Sequence, residues 1–198
     1  QPSPRPFTAR QGYSLDHIAT SSSLLLTTVN DILDLATVDA GIMDLEVDEV
    51  DVAVLFASVE QSFAGRFAEA GVELKTAVAS GITNFKADGQ RLRQVIGNLI
   101  SNAVNHAPEG SAVNLSAKLD GSDVVISIQD EGPGIPSDVL ASVFDRFVAH
   151  GNGRRRGGAG LGLSIVKGLV ELHKGSVSIQ SNAESGTRVD CRFPADPA

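Results

Sequence analysis

The sequence predicts an α+β chain: a two-layer α/β sandwich, one sheet covered on one face by helices, with a long amphipathic helix in front of it. Three observations lead there. Helical and strand patterns follow one another without the strict alternation of a parallel fold, and strands neighbour strands in the second half. A single seam of apolar residues at spacings of three and four runs near the N-terminus. With 198 residues, 42% of them apolar and 20% charged, the chain can bury a sizeable core and is not disordered by composition.

Residues 1–12, QPSPRPFTARQG, hold three prolines and read as a loop or frayed start. From Leu15 the seam Leu15, Ile18, Ser22, Leu25, Val29, Ile32, Ala36 predicts about six helical turns, with Gly41 just past the end. Leucines at 24, 26, 33 and 35 widen the stripe beyond one neighbour, so the helix belongs in a bundle, completed either by a partner helix that has been cut away or by a second copy. MDLEVDEVD alternates like a short strand. Asp51 can cap a helix to Ala70 with Val54, Leu55, Ser58, Phe63 and Phe67 near one face, and Gly71 ends it. VELKTAV reads as a strand, and ADGQRLRQVIGNLISNAVNHA as a helix stopped before Pro108. VNLSAKL and VVISIQD are strands joined through Asp120-Gly121. A glycine-rich bend, a short helix near Val139 to Phe144 and a polar loop from about Ala149 to Gly158 come next. A helix from about Leu161 to His173 and the strands KGSVSIQS and TRVDCRF close the chain.

The formal charge of −8 excludes a general nucleic-acid binder, which needs a broad excess of Lys and Arg; only Arg154, Arg155 and Arg156 form a basic block. The lone Cys191 cannot form an internal disulfide and reads as a small buried hydrophobe. No apolar run approaches the ~20 residues that span a bilayer, and no signal peptide is visible, so a soluble, cytoplasmic location without membrane contact is expected.

Three patches concentrate residues that a bare fold does not need. In QVIGNLISNAVNHA, Asn98, Asn102 and Asn105 share one helical face; asparagine is a poor mid-helix residue, and its amide oxygen is a hard ligand suited to Mg²⁺. In DEGPGIP, Asp130 ends an alternating strand, and Gly132 and Gly134 leave room for a ligand beside it. In RRRGGAGLGLSIVKGLV, glycines precede an amphipathic helix, whose N-terminus offers unpaired N–H groups to an anion. The GxGxG spacing and the lack of a preceding strand argue against a dinucleotide-binding fold.

Taken together and in order, N98-LIS-N102-A, D130-EGPGI, VFDRF, G158-A-G160-L-G162-L and the late SGT resemble the ATP-binding catalytic domain of bacterial two-component sensor histidine kinases, a Bergerat-type sandwich. Residues 13–44 are similar to the second helix of that family's dimerisation and phosphotransfer domain, and 45–198 to its catalytic domain. The resemblance implies that Asp130 accepts from the adenine amino group, with Gly132, Gly134 and Ile135 shaping that wall. It places Asn102 on Mg²⁺ with Asn98 one turn earlier, and Gly158, Gly160, Leu161, Gly162 and Leu163 where a lid enters the helix near the phosphates. Ser185, Gly186 and Thr187 fall at the last glycine box. Phe144 and Phe147 match the phenylalanine box. The implied activity is transfer of the γ-phosphoryl group of Mg-ATP to a histidine, for relay to a response-regulator receiver domain, by a homodimer joined through the N-terminal helix.

Two positions depart from the family pattern. Asn105 stands where relatives place a Lys or Arg toward the phosphates, leaving a dipole without a charge; one of Arg154, Arg155 or Arg156 is a candidate substitute. His106 stands where relatives have an aromatic ring and reads as a stacking residue. Nothing in this chain resembles the helix bearing the phosphate-accepting histidine; His17 lacks that context, and His150 and His173 lack metal-ligand spacing. The chain is therefore expected to bind Mg-ATP without labelling itself. Water-activating ATPases of the same fold place a glutamate where this chain has Asn98, and a degenerate docking module is the non-enzymatic alternative.

Overall fold

The computed structural model describes residues 9–146 and 160–195. Helix α1 spans Ala9–Asp39. It starts inside the segment expected to be a loop, because the last proline is Pro6 and nothing from Ala9 onward removes a helical donor. Most of its seam lies bare: Ile18, Leu25, Val29 and Ile32 are exposed, as are Leu26 and Leu33. Its C-terminal turns meet the sandwich, where Leu35 is buried and Val38 packs against Gly168.

Strand β1 (Asp48–Asp51) leads into α2 (Val52–Ala70), whose first turn is capped by Asp51 accepting from the Val54 N–H at 3.0 Å. Val52, Leu55, Phe56, Val59 and Phe67 are the buried face. Val54, expected on that face, is exposed, since it lies about 200° around the helix from Val52. After β2 (Glu73–Val78) comes a strand that the sequence did not announce, β3 (Asn84–Ala87), paired antiparallel with β1. Four residues are too few for an alternation signal, although Phe85 and Ala87 do point into the core.

The helix α3 (Gly89–His106) precedes β4 (Ala112–Asp120) and β5 (Asp123–Gln129). The short helix α4 is confined to Ser137–Leu140, earlier than expected, and the chain turns from there to Phe144 without further helix. Pro136 starts α4 early with its fixed φ. Helix α5 (Gly162–Leu172) is followed by β6 (Ser176–Asn182) and β7 (Gly186–Phe193).

The main sheet has the order β2-β4-β5-β7-β6, parallel between β2 and β4 and antiparallel elsewhere. The period of two sorts its residues between faces. Leu115, Ile126, Ile128, Val189, Cys191 and Phe193 face the helices and join Leu92, Ile96, Ile100, Ile165 and Leu169 in one core. The opposite face is polar: Arg188 bonds Asp190 and Ser127, each at 2.9 Å, and Arg192 pairs with Asp120 and Asp123. This is the two-layer sandwich expected, with α3 packed between α2 and α5. Among the described residues no helix is long and apolar enough to cross a membrane.

Candidate nucleotide-binding site

The site is built outward from α3. Asp88 caps that helix, accepting from the N–H groups of Gln90 and Arg91 at 2.9 and 3.0 Å, while its other oxygen takes the Glu46 N–H at 3.1 Å. The N–H of Asp88 itself donates to Nε2 of His173 at 3.1 Å, so the ring carries its proton on Nδ1 and gives it to the Leu169 carbonyl at 2.7 Å. His173 is buried edge-on to Phe193, and burial holds its pKa below the usual value. The start of α3 is thereby tied to the end of α5. His173 is a core residue.

With Leu92, Val95, Ile96, Leu99 and Ile100 turned inward, Asn98 and Asn102 emerge half-buried on the other side of α3. The first residue of α5, Gly162, sits against them: a Cβ there would lie 3.9 Å from the Asn102 amide nitrogen and from Asn98, whose amide also makes a long 3.5 Å hydrogen bond to the Gly162 carbonyl. The first turn of α5, with its orphan N–H groups, thus opens beside the asparagines. Leu161 is fully buried and Leu163 packs on the core, so both anchor this turn rather than face the cleft with a side chain. Asn105 is exposed and bonds to Arg66, and His106 is exposed on the last turn.

At the other end, the register of β5 and β7 sets Gln129 opposite Arg188, so Asp130 follows opposite Thr187 and donates its N–H to that carbonyl at 2.9 Å. Asp130 is buried at 7% exposure, and one carboxylate oxygen takes the Gly132 N–H at 2.7 Å. Burial pushes its pKa above the usual range, opposed by the N–H groups of Gly132 and Thr187 and by His106. A Cβ on Gly132 would stand 2.7 Å from the Asp130 carboxylate and 3.1 Å from the His106 carbonyl, so the end of α3 and Asp130 share one wall.

Gly134 adopts a left-handed φ of +74°, and a side chain there would overlap the Asn182 carbonyl. Ser181, which the sequence reading passed over, knits this wall together. Its hydroxyl takes the Ile135 N–H at 2.8 Å and lies 2.8 Å from the Thr187 hydroxyl. In the run SVSIQSN the period of two puts Ser181 on the face of Val177 and Ile179, and the β6–β7 pairing sets it opposite Thr187. Gly160 precedes α5. Phe147, His150, Arg154, Arg155, Arg156 and Gly158 lie outside the described residues, as does the side chain of His17.

Residues 87–197 match the family described as histidine kinase-, DNA gyrase B-, and HSP90-like ATPase. The sensor protein DivL of Caulobacter vibrioides is 36% identical over 182 residues, covering 90% of this chain and 23% of its own length, so the chain spans about a quarter of that relative. The structure of full-length ShkA in complex with AMPPNP superposes with a TM-score of 0.83 at 33% identity, covering 98% of this chain and 42% of that one. The histidine kinase ThkA, solved with the response regulator TrrA, shares the fold with a TM-score of 0.74 at 22% identity, covering 98% of this chain and 54% of that one. The chain belongs to the histidine kinase-, gyrase B- and HSP90-like ATPase family, within which it is an ATP-binding catalytic domain of the sensor-kinase type.

Proposed function

We propose that this chain binds Mg-ATP in the cleft between Asp130 and the asparagine row of α3 and serves as the phosphoryl-donating part of a histidine kinase. The observation that carries it is Gly132, wedged between the Asp130 carboxylate and the last turn of α3, while Gly162 abuts Asn98 and Asn102. A carboxylate for an exocyclic amine and a helix N-terminus for phosphates stand at two ends of one wall. Gly134, Ile135 and Thr187 line the purine end by this reading, His106 stacks on the base, and Gly158, Gly160 and Gly162 carry the lid over the phosphates.

Asn102 is the proposed metal ligand. Among the described residues no group of three or more His, Cys, Asp or Glu is arranged to hold a metal. A hard cation with one amide oxygen from the protein, and the remainder from phosphate and water, is the pattern Mg²⁺ favours. The ion would screen the phosphate charge; the chain's own residues orient the nucleotide and exclude water from it.

In the complete reaction the γ-phosphorus bonds to an imidazole nitrogen as its bond to the bridging oxygen of ADP breaks, and the histidine phosphoryl then passes to an aspartate of a receiver domain. The bare seam of α1 suits pairing with a second copy into a bundle. Titration calorimetry with Mg-ATP tests the reading: binding that Asp130→Asn weakens about ten- to a hundredfold supports it, and no binding by the unaltered chain overturns it. Asn105 favours a second reading, a domain that docks without turnover. Phosphoryl transfer from ATP to a supplied acceptor helix would exclude that one.

A further inference from the structure

The asparagine row faces a polyanion in the proposed reading, yet Asn105 brings no charge to it. A cation reaches Asn105 from elsewhere in the fold. Arg66, on α2, donates one guanidinium nitrogen to the Ser101 hydroxyl at 2.7 Å and another to the Asn105 amide oxygen at 3.4 Å. Its guanidinium carbon lies 5.6 Å from the centre of the Phe63 ring, and Phe63 in turn packs at Gly97. Three contacts from two helices thus hold an exposed Arg side chain along the α2 side of α3, at Ser101 and Asn105.

Packing does not require this arrangement, because α2 is already seated by Val52, Leu55, Phe56, Val59 and Phe67, all buried. Exposed polar links of this kind contribute little to stability. A planar guanidinium pre-set by an aromatic face and a hydroxyl keeps N–H groups for an oxyanion, and loses little side-chain entropy on meeting one. Since α3 lies between α2 and α5, Arg66 approaches the row from the α2 side and the first turn of α5 from the other.

We propose that Arg66 is the phosphate-neutralising cation of this site, supplied from α2 in place of the charge that Asn105 lacks, with Asn105 and Ser101 as its positioning residues. The proposal rests on the ATP reading above. That charge comes from 39 positions away in sequence.

Binding of ATP, ADP and adenosine, each with Mg²⁺, to Arg66→Met tests it; Met keeps an apolar stem over Phe63. The expected result is a loss of about three- to thirtyfold in affinity for ATP and ADP. Adenosine affinity stays unchanged, and the loss for ATP shrinks at high salt. Adding Asn105→Lys to Arg66→Met should restore ATP affinity. An equal loss for adenosine would assign Arg66 to structure, and unchanged ATP affinity would remove it from the site; either overturns the proposal while leaving the nucleotide reading intact. Absence of ATP binding by the unaltered chain overturns both.

Discussion

Gly186 lies directly against the main chain of Asp130: at its left-handed φ of +73°, a Cβ would overlap the Asp130 carbonyl. The contact closes the main chain of Asp130 and Glu131 onto the start of β7 with no room for a Cβ between them. Gly186→Ala should therefore lower stability by at least about 2 kcal/mol, from the disfavoured backbone conformation and the displaced carbonyl together. Thermal unfolding measures this, and a variant as stable as the parent would contradict the packing described here.

Asp130→Asn should do the opposite. The raised pKa means that, between the usual 3.8 and its folded value, the folded state keeps a proton the unfolded chain gives up. Stability due to this group thus falls as pH rises through that window, and at neutral pH the buried charge is a standing cost. The amide keeps an acceptor for the Gly132 N–H but turns a donor toward the proposed adenine amine. Melting temperature should stay level or rise, while ATP affinity falls about ten- to a hundredfold. In the unaltered chain, ATP affinity should begin to drop on acidification above the ordinary carboxylate range.

His173 gives stability a pH dependence of the other kind. Its folded pKa is depressed, so the unfolded state binds the proton first. The contribution is fully present above about pH 6.5, the unfolded value, and is lost as pH falls from there through the folded one. Denaturant unfolding against pH should show this slope, and His173→Gln, which retains an acceptor for the Asp88 N–H, should flatten it.

Charging the bare seam should act on assembly alone. Leu25 and Val29 are 66% and 45% exposed, so Leu25→Glu with Val29→Lys removes apolar surface that nothing among the described residues covers. Sedimentation should show loss of self-association with the melting temperature of the sandwich unchanged. Self-association that persists in the double variant would place the dimer contact elsewhere.

Cys191 should be inert. It is buried under the helices, and desolvation pushes its thiol up to about 12. Thiol reagents should label it only as fast as the sandwich opens.

Much of this was legible in the chain itself, because it is local. The cap at Asp51, the breaks at Gly71 and Pro108 and the asparagine row each depend on residues a few positions apart. Periods of 3.6 and 2 fixed the helical faces and the inward set of β5 wherever the run was long enough. Short runs carry no such signal, as at β3 and α4; Val54, in the long helix α2, is exposed because it lies about 200° around from Val52.

What the sequence by itself determined was the order of elements, the amphipathic seam and the residue types available for a nucleotide. The tertiary structure alone decided how they meet. The pairing of β6 with β7 makes Ser181 part of the Asp130 wall, His173 becomes a strut between α5 and α3, and Arg66 comes to Asn105 from 39 residues away. Such contacts join segments distant in sequence, and only the packing of both layers around one core brings them within reach.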